Sequence, residues 1–196
     1  MKKTFYAELS KVFGLVLLLV GIGALIGGFF AQNYVTSQLK QESITMPDQK
    51  GVDALSDQKA KDALKPFVGK QMTTGTQAQV YANDFIWEHM QTACKTVKAA
   101  DGTALPAVPA DKCTYAGIGD VAGAATDANA KAAYNAVRAS NFQGDALRSM
   151  LLTAYAFWLI GTIAKVAGVL CLVLGAVLAG YGFTRKASDG VAPVTA

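Results

Sequence analysis

Two long apolar stretches bracket a polar middle. Residues 12–31 form a run of 20 without a single charge. At about 1.5 Å of rise per residue, such a helix matches the roughly 30 Å hydrocarbon core of a bilayer. The second stretch, residues 151–183, is interrupted by one charge, Lys165. As a helix it reaches about 50 Å, too long for one perpendicular crossing. Counting about 20 residues back from Phe183 ends at Ala164, which puts Lys165 at the outer edge with its ammonium snorkelling to headgroups. Tyr155, Phe157 and Trp158 then stand above the bilayer, with Trp158 and Lys165 as interface or lipid contacts. The alternative keeps Lys165 inside the membrane, facing a carboxylate or a lipid phosphate.

The pattern predicts a mostly α protein, a two-span transmembrane helical hairpin with a small extracytoplasmic helical domain. Its parts are a cytoplasmic N-terminus (1–11), transmembrane helix 1 (12–31), an extracytoplasmic domain (32–148), a long helix including transmembrane helix 2 (149–183) and a cytoplasmic tail (184–196). Within the middle, residues 42–47 read as extended chain, with Pro47 turning Met46 away from helix. Residues 54–64 are a short charged helix stopped by Pro66. Thr73, Thr74 and Thr76 offer N-cap oxygens for a stronger helix to about Val97. Residues 99–126 are rich in Gly, Pro and Ala and predict little regular structure. Residues 127–140 form an alanine-rich helix, Asn141-Phe-Gln-Gly144 breaks it, and a further helix from Asp145 enters the second span. No internal repeat is visible.

Charge orients this arrangement. The chain carries 18 Lys and Arg against 14 Asp and Glu, a net +4, yet residues 32–148 hold twelve of each sign. The excess lies at Lys2, Lys3, Lys11, Arg185 and Lys186, flanking the spans, and at Lys165. A basic patch for phosphate backbones is therefore missing, which excludes nucleic acid as a partner. Basic residues close to span ends mark the cytoplasmic side, so both termini lie inside the plasma membrane and the middle outside. The first span is longer than a signal-peptide core and no A-x-A site follows it, so it reads as an uncleaved anchor.

The cysteines agree with an oxidising outer compartment. Cys94 and Cys113 are the only pair in the middle, and a disulfide between them adds about 3 kcal/mol by closing its loop. The other possibility is two unrelated buried thiols; a zinc site lacks further ligands. Small residues stripe both spans: Gly21, Ala24, Gly28 and Ala31 on the first, and Ala164, Gly168, Cys171, Gly175, Ala179 and Gly182 on the second. Gly23 and Gly27 make a G-x-x-x-G pair on another face of the first. Small stripes let helix backbones approach in lipid, either within the hairpin or against other integral membrane proteins.

Candidate chemistry is sparse. His89 is the one histidine, and Glu88, adjacent on a helix, diverges from it by about 100°. A facial-triad iron site needs two histidines. There is no C-x-x-C-H, no G-x-S-x-G, and no Walker or Rossmann pattern; Gly117-Ile-Gly119 lacks the third glycine. The sequence predicts a non-enzyme without cofactor or metal.

Five segments in order, Ile44-Thr-Met-Pro47, Gln77-Ala-Gln-Val-Tyr-Ala-Asn-Asp-Phe-Ile86, His89, Thr114-Tyr-Ala116 and Leu147-Arg-Ser-Met-Leu-Leu-Thr153, resemble a group of actinobacterial two-span membrane proteins. Many of these carry the name "aromatic ring-opening dioxygenase", which the histidine count here contradicts. The cysteine pair and residues 99–110 depart from that group. The mass of 20.5 kDa, the two spans and the helical outer domain also resemble the accessory subunit of that size in the actinobacterial cytochrome bcc–aa3 respiratory supercomplex. The resemblance implies a non-catalytic accessory or assembly subunit, contacting membrane lipids and other membrane subunits. The alternative is an envelope lipid-binding module with an apolar cavity near Lys165.

Overall fold

A computed structural model describes the backbone of residues 2–188 and the side chains of residues 5–185. Met1 and residues 189–196, most of the expected cytoplasmic tail, lie outside the described residues, as do the side chains of Lys2, Lys3 and Lys186. The described chain is mostly helical. Seven α-helices follow in order: α1 (Lys2–Gln41), α2 (Gln49–Asp53), α3 (Gln58–Leu64), α4 (Gly75–Val80), α5 (Trp87–Lys95), α6 (Tyr115–Ala124) and α7 (Ala128–Ser188). No strand forms among the described residues; two isolated antiparallel bridges, Thr45 to Gln71 and Lys98 to Ala104, are the only β pairings there. The chain divides into two compact units. Of the described residues, those up to Tyr34 and from Phe157 onward make the first, and Val35–Ala156 the second.

In the second unit, residues 44–47 are extended as expected, held by Met46 N–H donating to the Lys70 carbonyl (2.9 Å) and Met72 N–H to the Ile44 carbonyl (2.8 Å). The Thr74 hydroxyl caps α4, accepting from Gln77 N–H, while Gln77 Oε1 accepts from the backbone of Thr73 and Thr74, a capping box with one extra bond. The helix that follows is not uniform. Tyr81–Ile86 is a π-helical segment between α4 and α5, which nothing in the hydrophobic spacing signals. Its wide turn leaves the Ala82 carbonyl accepting both the Trp87 N–H and Arg148 Nε (3.0 Å). Arg148 also reaches Asn83 Oδ1 (3.3 Å) and lies over the Trp87 ring at 4.5 Å.

Two expectations about the middle fail. Residues 115–124 are helical rather than irregular, because Thr114 caps α6 by accepting from Gly117 N–H and because Ile118 and Ala122, four apart, bury one face. Gly117 is required there, since a Cβ would stand 2.6 Å from the Lys112 carbonyl oxygen. Nor does the helix break at 141–144: α7 runs through for 61 residues. Asn141 is 1% exposed and donates from Nδ2 to Cys94 Sγ (3.3 Å), while Gly144 leaves the room that the Met90 sulfur fills. Residues that favour a break in isolation are held helical by these contacts.

Cys94 and Cys113 form a disulfide, with Cα atoms 6.0 Å apart. It lies at the centre of an apolar cluster with Val97, Val108, Ile118, Ala122 and Tyr134, and the Tyr134 hydroxyl donates to the Pro106 carbonyl (2.9 Å). The crosslink thus closes the Gly/Pro-rich segment over α6 and the start of α7. Replacing both cysteines by serine is expected to cost about 3 kcal/mol, read from denaturant unfolding of the full chain in detergent against the oxidised parent.

Candidate functional site

The first unit is built on backbone contact. Ala7, Gly14, Gly21 and Gly28 of α1 recur every seventh residue, as do Gly161, Gly168, Gly175 and Gly182 of α7, and all eight are buried. The two helices run antiparallel in one register, with Ala7 opposite Gly182, Gly14 opposite Gly175, Gly21 opposite Gly168 and Gly28 opposite Gly161. A Cβ on Gly21 would meet the Gly168 carbonyl oxygen at 2.8 Å, and one on Gly168 would meet that of Gly21 at 2.9 Å. The same reciprocity joins Gly28 to Gly161, at 2.7 and 2.9 Å. Only hydrogen fits at these positions, so each glycine presents a Cα–H to a carbonyl across the seam. A strict seven-residue repeat brings with it a left-handed supercoil.

Of the small residues singled out from the sequence, Gly21, Gly28, Gly168, Gly175, Ala179 and Gly182 therefore meet within the pair. Ala24, Ala31, Ala164 and Cys171 only flank the seam, half-buried. Gly14 and Gly161 belong to it too, and they continue a seven-residue period that a 3.6-residue stripe does not reveal. Gly23 and Gly27 are elsewhere: a Cβ at either meets nothing within 4 Å, and both are exposed.

The register also exposes an internal repeat that sequence reading missed. Residues 11–29 and 165–183 match at Lys11/Lys165, Val12/Val166, Gly14/Gly168, Leu18/Leu172, Gly21/Gly175, Gly28/Gly182 and Phe29/Phe183. Contacts match too. The Gly21 position abuts Leu172 Cγ (2.9 Å) and the Gly175 position abuts Leu18 Cγ (3.0 Å). Lys165 crosses Gly28 with its ammonium 4.9 Å from the Phe29 ring centre, and Lys11 crosses Gly182 with its ammonium 5.0 Å from that of Phe183. The pair maps onto itself by a pseudo-twofold rotation.

The two lysine ends differ in what meets the ammonium. Lys11 Nζ pairs with Glu8 Oε2 at 3.0 Å, three residues earlier. Thr162 stands three residues before Lys165, and the acceptor for that ammonium is instead Gln32 Oε1, a neutral amide. Gln32 Nε2 donates to Thr162 Oγ1 (2.7 Å) and the Trp158 carbonyl (3.4 Å), so Trp158 contributes its backbone to the cluster. Gln32 is a functional group that the sequence alone does not signal.

His89 takes a structural place. It is exposed, and its Nδ1–H donates to the Phe85 carbonyl one turn earlier (2.8 Å), with the two rings 4.3 Å apart. Among the described residues no three His, Cys, Asp or Glu side chains gather as a metal site. Asp84, half-buried in the π segment, has its carboxyl pushed above the ordinary 3.8 by loss of solvent and by Asp57, against an opposing pull from Lys59, desolvation being the largest influence. No family model matches the chain, and neither does any curated protein or solved structure.

Two outcomes follow from this geometry. Gly21→Val or Gly168→Val is expected to lower the stability of the helix pair by about 1–3 kcal/mol through overpacking, while Gly23→Val changes it by less than about 0.5 kcal/mol; thermal unfolding in detergent separates them. A raised carboxyl means that Asp84 favours folding fully below its unfolded value and loses that contribution as pH rises through the folded one. Asp84→Asn should therefore raise the melting temperature at neutral pH, with the gain vanishing below about pH 4, checked by melting curves across pH.

Proposed function

We propose that this chain is a non-catalytic integral membrane accessory or assembly subunit. Its two apolar helices cross the plasma membrane as a hairpin, with the termini cytoplasmic and residues 35–156 outside. Support comes first from which way the helices face. Only 17% of the most apolar window of each is buried, although both are long and apolar enough to cross a membrane. Phe13, Leu19, Ile26 and Phe30 on α1, and Ile163, Val169, Val173 and Val177 on α7, are more than half exposed. Small and polar groups turn inward and large apolar groups outward, the reverse of a helix from a water-soluble core.

Depth is consistent with this reading. The pseudo-twofold axis passes between Leu17 and Leu18, and Lys11 and Lys165 start about 10 Å on either side of it. Each side chain leans toward the N-terminus of its own helix, hence away from the axis, and adds about 6 Å. The ammonium groups so lie about 16 Å from the centre, at the two faces of a roughly 30 Å core. Lys165 snorkels in this arrangement, with Gln32 waiting at the end of its reach.

The observation that carries the accessory role is the position of Gly23 and Gly27. They form a G-x-x-x-G ridge on the exposed side of α1, left over after the seam has used Gly14, Gly21 and Gly28. A ridge of this kind accepts a helix of another membrane protein. The actinobacterial cytochrome bcc–aa3 supercomplex is the partner that the family resemblance suggests. The grooves along α7, one by Asp145, Arg148 and Leu152 and another by Tyr115, Arg138 and Phe142, are open and partly polar, so neither favours the lipid-module reading. Affinity purification of the tagged chain in mild detergent should bring down other membrane subunits in fixed proportion. Gly27→Leu should release them without lowering the melting temperature. Recovery of a lone monomer in that detergent would sink the proposal.

A further inference from the structure

Lys165 has a counterpart in its own molecule, and the comparison shows what it lacks. Lys11, at the equivalent place, is neutralised by Glu8 at 3.0 Å. Around Lys165 the same frame survives: the glycine it crosses, the phenylalanine ring beside it, and the small residues of the seam. Where Glu8 supplies a carboxylate, Thr162 stands instead. No Asp or Glu occurs between Glu8 and Glu42 or between Asp145 and Asp189, so neither apolar helix supplies another. An ammonium has three donors and full charge. Here one donor meets Gln32 Oε1 and, among the described residues, the charge faces a ring and no carboxylate. A cation partly withdrawn from water without an anion is costly, and its cost falls when an anion joins it.

We propose that Lys165, positioned by Gln32, binds the phosphate of an anionic phospholipid in the leaflet at that end of the helix pair. The inference rests on the membrane reading above. Depth selects the ligand, because an ammonium at the edge of the hydrocarbon core meets lipid phosphates before any other anion. The surroundings select it further. Phe29, whose ring lies beside the ammonium, and Ile26 and Phe30, close to it along α1, are all more than half exposed, a surface suited to acyl chains. Gln32 is itself held by Thr162 and the Trp158 carbonyl, so the amide holds the ammonium at a defined place. Lys11, at the other end of the pair, already has Glu8 beside it and makes no such demand.

The test uses the full chain in mild detergent, titrated with dioleoylphosphatidylglycerol or dioleoylphosphatidylcholine, with bound lipids counted by native mass spectrometry. The anionic lipid should be retained about tenfold better, the equivalent of one charge-assisted hydrogen bond. Lys165→Gln, which can still bond Gln32, should abolish that preference; Lys165→Arg should keep it, and Lys11→Gln should leave it unchanged. A preference that survives in Lys165→Gln overturns the site. So does displacement of the lipid by millimolar inorganic phosphate, which would mark a soluble ligand. Carbodiimide coupling of Lys165 to a carboxylate of another protein in native membranes would overturn it in favour of a protein partner. Resistance of the chain to alkaline carbonate extraction keeps the two levels apart: a resistant chain without lipid preference refutes the site alone, whereas an extracted chain refutes membrane insertion itself.

Discussion

Two apolar helices gain nothing from water by leaving lipid for each other, so their association has to come from contact. In this protein the contact is backbone on backbone. Glycine at every seventh position removes the side chains that would hold the helix axes apart, and the carbonyl of one helix then meets the Cα–H of the other. The register of that seam decides which residues oppose each other. It places Lys165 across Gly28, within reach of Gln32, and Lys11 across Gly182. It also decides which glycines remain outside: Gly23 and Gly27 are turned away because Gly21 and Gly28 are turned in.

The second unit adds a different device to its hydrophobic core. The extended segment at 44–47, the Gln77 capping box, the Thr114 cap and the Arg148 contacts to Ala82 and Asn83 are all joints between elements. Their chemistry is that of hydrogen-bonded corners, with side chains satisfying backbone groups that helix ends leave open. The disulfide adds a covalent joint where the chain is richest in glycine and proline, and Asn141 ties it to α7.

Much of the fold was legible in the chain. Twenty uncharged residues and a second run ending at Phe183 marked the two long helices, and Thr74 with Gln77 marked the start of α4, because capping and apolar length are local properties. What escaped was tertiary. Asn141 and Gly144 read as a break until Cys94 and Met90 are seen to occupy their space. Residues 115–124 are too poor in large side chains to show a face, though Ile118 and Ala122 make one. The π segment has no spacing signal at all, since its extra residue is accommodated by Arg148 from 66 positions away. The repeat was hidden differently: seven matching residues in a background of Leu, Val and Gly stand out only once the register shows which positions are in contact.

The near-symmetry of the helix pair has a consequence for how such a chain is made. Turn the pair over and glycine falls on glycine, lysine on lysine, phenylalanine on phenylalanine. A unit with that property has almost no preference of its own for either face of a bilayer. In the proposed membrane arrangement, the instruction that decides its orientation during biosynthesis resides in what breaks the likeness: the carboxylate of Glu8 against the hydroxyl of Thr162, the basic residues beside the outer ends of the two helices, and the 122-residue unit proposed to lie outside. A few flanking side chains thus hold the vectorial information, while the spans themselves hold only the grip.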